Sequence, residues 1–246
     1  MSLIENTNIK KVIGVISGKG GVGKSTVTVM IARQLSARGY RVGIMDADIT
    51  GPSIPKMLGI TKKAVADSGR FIPVQSEDGI KVMSMNLLLD DVEKPVIYRG
   101  PLIATIIRQF YKDTEWGELD FLLVDMPPGT GDVPLTVYRE LPIEGVVMVT
   151  SPQNLVKMIV MKAVNMAERM NVKVLGIVEN YSYFVCPDCG KHYPVFGESR
   201  IDSIAEEMGT QVLAKIPLMP ELAAAADAGC NAFCETEVIL DTIIGR

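Results

Sequence analysis

Short apolar runs alternate with longer amphipathic stretches along the 246 residues of this chain. Val12 to Ile16 is apolar throughout apart from Gly14, and Phe121-Leu122-Leu123-Val124 and Val146-Val147-Met148-Val149 are apolar at every position. Such runs lack the in–out alternation of a half-solvated strand and predict parallel strands covered on both faces. Read in the same way, the chain predicts strands near 12–17, 41–46, 80–85, 121–126, 145–150, 174–179 and 212–216. Apolar positions recurring every three or four residues predict helices around 24–38, 101–112, 154–170, 199–208 and 235–244. Strand–helix–strand alternation implies right-handed crossovers. The expected fold is therefore α/β, a doubly wound, mostly parallel sheet with helices on both faces and ligand sites beyond the carboxyl ends of the strands. The polar stretch from Thr61 to Gly79, broken by Phe71-Ile72-Pro73-Val74, reads as an inserted hairpin or loop. No internal repeat, low-complexity tract or interdomain linker is visible, so residues 1–246 are expected to form one domain.

Composition narrows the class. A chain that is 48% apolar and 22% charged is globular rather than disordered. Its 25 basic and 29 acidic residues give a net charge of −4, which provides no overall basic field for nucleic acid or anionic lipid. No apolar run has the length of a membrane span, and no basic-then-apolar signal opens the chain, so a cytoplasmic protein without membrane contact is expected. Four cysteines in that setting suggest a reducing compartment, where paired thiols bind metal or do redox work.

The first apolar run leads directly into Gly18-Lys19-Gly20-Gly21-Val22-Gly23-Lys24-Ser25-Thr26. This fits G-x-x-x-x-G-K-[ST], the phosphate-binding loop, at the position the motif requires, between a strand and a helix. The glycines let the backbone curl so that its N–H groups face phosphate oxygens. Lys24 is expected to reach the β- and γ-phosphates of ATP, and the Ser25 hydroxyl to ligate Mg²⁺. Two other strand ends carry carboxylates: Met45-Asp46-Ala47-Asp48, and Val124-Asp125 followed by Met126-Pro127-Pro128-Gly129-Thr130-Gly131-Asp132. Four apolar residues ending in Asp125 place a carboxylate level with the Mg²⁺, held through a water. The glycines and prolines after it form a loop that a γ-phosphate can order. Asp46 or Asp48 is the candidate for orienting the attacking water, and spacing does not choose between them.

Cys186-Pro187-Asp188-Cys189-Gly190 has the spacing of a metal knuckle. It provides two of the four ligands that tetrahedral Zn²⁺ or a cubane cluster needs, and a two-fold dimer meeting at this loop would supply the other two. Cys230 and Cys234 could share a helix face, but their surroundings read as ordinary packing, and His192 reads as a loop residue beside the knuckle. A thioredoxin-type dithiol is disfavoured because no crossover helix clearly follows the pair.

These motifs carry a resemblance. Lys19 within K-G-G-x-G-K-[ST] resembles the deviant Walker A signature of dimeric ATPases, in which the early lysine crosses to the partner's nucleotide. Together, Ser17–Thr26, Met45–Pro55, Asp125–Asp132 and Glu179–Gly190 resemble the Mrp/ApbC family of P-loop ATPases that carry or assemble iron–sulfur clusters. The resemblance implies a weakly hydrolysing ATPase that forms a homodimer, and a [4Fe–4S] cluster shared by Cys186 and Cys189 of both chains for transfer to apo iron–sulfur proteins. It also implies an adenine-recognising role for Asn180 and a metal loop spanning 181–197. Three rival readings remain. A positioning or partitioning ATPase wants a basic amphipathic C-terminal helix or a basic surface, whereas residues 235–246 carry Glu235, Glu237 and Asp241 against Arg246 alone. A nitrogenase-iron-protein-like electron carrier separates its ligand cysteines widely. A zinc-bridged structural dimer would use the same four thiolates.

Overall fold

The computed structural model describes residues 8–49, 51–67, 69–89, 100–152, 156–220 and 237–245. β1 (Val12–Ser17) runs through the glycine loop into α1 (Lys24–Ala37), and β2 (Val42–Asp46) and α2 (Ile54–Met57) follow. Next come a hairpin of β3 (Val65–Asp67) and β4 (Arg70–Ile72), then β5 (Val74–Gln75) and β6 (Lys81–Met83). The middle of the chain holds α3 (Gly100–Lys112), β7 (Phe121–Asp125), α4 (Asp132–Glu140), β8 (Gly145–Thr150) and α5 (Val156–Arg169). It ends with β9 (Lys173–Glu179), the hairpin β10 (Phe184–Val185) and β11 (His192–Tyr193), α6 (Ile201–Glu207), β12 (Val212–Lys215) and α7 (Asp241–Ile244).

Eight strands form one sheet in the order β12-β9-β8-β1-β7-β2-β6-β5. All neighbours are parallel except the edge pair β5–β6. Every residue of β1, β2, β7 and β8 is buried, the physical consequence of a sheet covered on both sides. One face packs against α3 to α6 through Ile103, Ile107, Val137, Val160 and Ile201. The other packs against α1, α2 and α7 through Val27, Ile31, Leu35, Ile54 and Ile243. α3 shows the cause: Ile103, Ile106, Ile107, Phe110 and Tyr111 recur at helical spacing and are all buried. Each such side chain contributes about 1.5–3 kcal/mol of burial. Arg108, on the outer side of α3, pairs with Glu140 of α4 at 2.8 Å.

The sheet matches the strand pattern read from the sequence, and four differences have local causes. α4 escapes the periodicity because Pro134 interrupts it, yet a proline in the first helical turn gives up no internal hydrogen bond. α2 is a single turn, too short to show a period. The strand expected over 80–85 stops at Met83, where a 3₁₀ turn over Met85–Leu87 takes over. For the helix expected over 235–244, residues 235 and 236 lie outside the described residues, 237–240 are non-helical, and only Asp241–Ile244 is helical. The inserted stretch is the β3–β4 hairpin, with β5 adding an antiparallel edge. Among the described residues no helix is long and apolar enough to cross a membrane.

Candidate functional site

The carboxyl ends of β1, β2 and β7 lie side by side, with Asp46 and Asp125 as register partners. Gly21 and Gly23 of the loop after β1 adopt φ of +78° and +81°, a region open to glycine. A Cβ on Gly23 would lie 2.1 Å from Asn180 Nδ2, so this position excludes a side chain twice over. Among the described residues no carbonyl of the fold accepts a hydrogen bond from the backbone N–H groups of Gly20 to Ser25. A loop of unspent N–H groups at a helix N-terminus is an anion cradle. It borders a cavity of about 190 Å³ whose walls include Ser17, Lys24, Ser25, Thr26, Asp48 and Pro128. The Ser17 hydroxyl is buried without a partner. Lys19 is half-buried on the same loop.

Asp125 is fully buried and clamped. Lys24 Nζ lies 2.7 Å from its Oδ1, Ser25 Oγ donates to Oδ2 at 2.6 Å, and Thr28 Oγ1 donates to Oδ1 at 2.9 Å. A hydroxyl held against a carboxylate is a hard-oxygen donor set, which suits Mg²⁺ completed by phosphate oxygens and water. The Lys24 ammonium supplies the compensating charge to this carboxylate. Thr28 is absent from the sequence motif. Its signal is only that it falls one helical turn after Lys24.

The two candidate carboxylates of the β2 loop differ. Asp46 is fully buried and accepts hydrogen bonds from Ser84 Oγ at 3.1 Å and the Asp48 N–H at 3.2 Å. Burial first, and the nearby Asp125 charge second, push its carboxyl up to about 8. Asp48 instead lines the cavity, 3.9 Å from Lys24 Nζ. Ser84 was not singled out by sequence reasoning. It follows β6, whose Met83 pairs with Met45, and that register brings it level with Asp46.

Asn180 follows β9 and is buried, with Nδ2 donating to the Val22 carbonyl at 3.0 Å. One of its two amide N–H groups thus braces the phosphate loop, and Oδ1 remains an acceptor for a further partner.

Cys186 and Cys189 lie in the turn between β10 and β11, far along the chain from the loop. The Cys186 N–H donates to the Lys191 carbonyl at 2.9 Å, and the Gly190 N–H donates to the Cys186 carbonyl at 2.8 Å. The N–H of Asp188, then that of Cys189, faces the Cys186 sulfur and lowers its thiol from the ordinary value. Both thiols are free, and Cys189 is exposed. Among the described residues no group of three or more His, Cys, Asp and Glu converges as a metal site. His192 stacks on Tyr183 at 4.4 Å between ring centroids. Cys230 and Cys234 lie outside the described residues.

Comparison with known proteins agrees with this architecture. The model of the ParA-type NUBPL iron-transfer P-loop NTPase family matches residues 8–242. An iron–sulfur cluster carrier protein of Clostridium perfringens is 50% identical over 230 residues, covering 90% of this chain and 81% of that protein. Its counterpart in Methanocaldococcus jannaschii is 45% identical, covering 98% and 86%. A nucleotide-binding protein from Archaeoglobus fulgidus, solved with ADP, superposes with a TM-score of 0.81 at 44% identity, covering 90% of this chain and 87% of that one. The cell-division ATPase MinD of Pyrococcus furiosus shares the fold, with a TM-score of 0.66 at 20% identity and 96% of each chain covered. The match over residues 8–242, with relatives 50% and 45% identical over most of their length, shows that this chain belongs to the iron-transfer P-loop NTPases.

Proposed function

We propose that this chain is a cytoplasmic, single-domain, weakly hydrolysing ATPase that works as a homodimer, carries a [4Fe–4S] cluster between its subunits and hands it to apo iron–sulfur proteins. The observation that carries this reading is the incomplete sulfur site. Two thiols converge in one tight turn, and no third metal-binding side chain joins them among the described residues. A cubane needs four ligands, and a two-fold axis through this turn provides them without a new sequence element. The name carried by the Clostridium and Methanocaldococcus relatives supports the cargo.

In this reading the N–H groups of Gly18 to Thr26 hold the phosphates of ATP, and Lys24 leaves Asp125 for the β- and γ-oxygens. Ser25 and Asp125 hold Mg²⁺, which supplies positive charge to the phosphate oxygens. Asp48, which borders the cavity, orients the attacking water, and buried Asp46 orders the loop that carries it. Lys19 is the cation presented to the partner subunit's nucleotide, and Asn180 Oδ1 meets the adenine.

Anaerobic reconstitution with iron and sulfide tests the reading. About four irons per two chains are expected, with the loaded species sedimenting as a dimer. Cys186→Ala or Cys189→Ala should abolish loading, because symmetry removes two of the four ligands at once, while ATP binding persists. Full loading on the double variant, or a loaded monomer, would sink the proposal. Stoichiometric zinc without reconstitutable iron would replace it with the structural-dimer reading.

A further inference from the structure

Of the three groups that clamp Asp125, two have other work once nucleotide arrives. This inference rests on the nucleotide-site reading above. Lys24 moves to the phosphates and gives up its 2.7 Å contact with Oδ1, whereas the Ser25 hydroxyl can offer a lone pair to the metal and keep donating its proton to Oδ2, 2.6 Å away. The partner left on Oδ1 is then Thr28. Thr28 is fully buried on α1, so it reaches neither phosphate nor water. Its one hydroxyl proton lies within reach of Asp125 Oδ1 at 2.9 Å and the Lys24 carbonyl at 3.1 Å. As a β-branched residue in a helix it has few χ1 choices, which makes its hydroxyl a stiff anchor.

We propose that Thr28 is a positioning residue for the metal: it pins Oδ1 of Asp125 when Lys24 lets go, so that the carboxylate stays oriented beside Ser25 to hold the ion. A carboxylate with one oxygen pinned loses less rotational freedom on coordinating an ion. Without Thr28, Oδ1 would have no partner once Lys24 leaves, and the ion itself would have to order it.

The test separates metal from nucleotide. ADP affinity is measured by calorimetry in EDTA and again with Mg²⁺, and Mn²⁺ binding in the presence of ADP is read by electron paramagnetic resonance. Thr28→Val keeps the shape and removes the hydroxyl, and Thr28→Ser keeps the hydroxyl. Thr28→Val should bind ADP in EDTA within about twofold of the unaltered protein, yet lose about tenfold of the gain that Mg²⁺ confers, with a matching loss of Mn²⁺ affinity. Thr28→Ser should recover most of that gain. An undiminished Mg²⁺ gain in Thr28→Val overturns the inference. So does an equal loss in EDTA and Mg²⁺, which would mark a merely structural role. An unaltered protein that binds no ADP would instead defeat the nucleotide-site reading itself.

Discussion

Lys24→Ala is expected to lose ATP binding by at least a hundredfold and, in the absence of any nucleotide, to be less stable than the unaltered protein. The first effect follows from removing the one side-chain cation that the loop aims at the phosphates, in a cradle otherwise built of neutral N–H dipoles. The second follows from the resting position of the lysine, 2.7 Å from a fully buried carboxylate. Removing one partner of such a pair leaves an uncompensated buried charge, at a cost of about 3–5 kcal/mol. Urea unfolding and calorimetric titration on the same protein measure both. The double variant Lys24→Ala/Asp125→Asn should regain most of the stability and none of the nucleotide affinity, because the stranded charge is gone but the phosphates still lack their cation. Native MgATP affinity in Lys24→Ala would refute the phosphate-loop assignment. Lys19→Ala offers the contrast: binding largely kept, with turnover and nucleotide-linked dimer closure impaired.

Asp46→Asn is expected to stabilise the chain, increasingly so as the pH rises. The carboxyl of Asp46 has an ordinary value of 3.8 and is pushed up to about 8 by burial and by the Asp125 charge. Between those values the folded state holds a proton that the unfolded state has lost, so folding stability falls as pH rises, by up to about 1.4 kcal/mol per pH unit. The penalty is absent below the lower value and complete above the upper one. In metal-free, nucleotide-free buffer, the difference in unfolding free energy between Asp46→Asn and the unaltered protein should therefore be small near pH 4. It should climb steadily between pH 4 and pH 8 and level off beyond. Two other shifted groups do not imitate this. The hydrogen bonds of Arg41 hold the Asp120 carboxyl well below the usual carboxylate range, so it stays ionised across the window. The lowered Cys186 thiol favours the folded state toward alkaline pH, the opposite slope, and is common to both proteins. A pH-independent difference would show that Asp46 is already ionised in the folded chain. The same substitution is expected to slow hydrolysis, since the loop bearing Asp48 hangs on the Asp46 carboxylate.

The local motifs were fully legible along the chain because each is a matter of adjacent residues. The glycine spacing of the phosphate loop, the apolar run that ends in Asp125 and the cysteine knuckle each require only backbone geometry over a few positions. The parallel sheet was legible for a related reason. Strands covered on both faces must be apolar at almost every position, and a sequence displays that directly. α4 was not, because Pro134 looks like a breaker until its place in the first turn is known.

What the sequence alone determined is thus the set of chemical parts and the layered fold that carries them. Only the tertiary structure decided how the parts meet. Register between β2 and β7 sets Asp46 beside Asp125, and register between β2 and β6 brings in Ser84. Those pairings bury Asp46 and leave Asp48 on the cavity wall, a distinction that two residues in one short loop cannot express by themselves. Thr28 and Asn180 acquire their partners in the same way, from elements 97 and 158 residues distant. Hydrogen-bond partners at such separations depend on which strands become neighbours, and hydrophobic periodicity specifies only which face of each strand is buried.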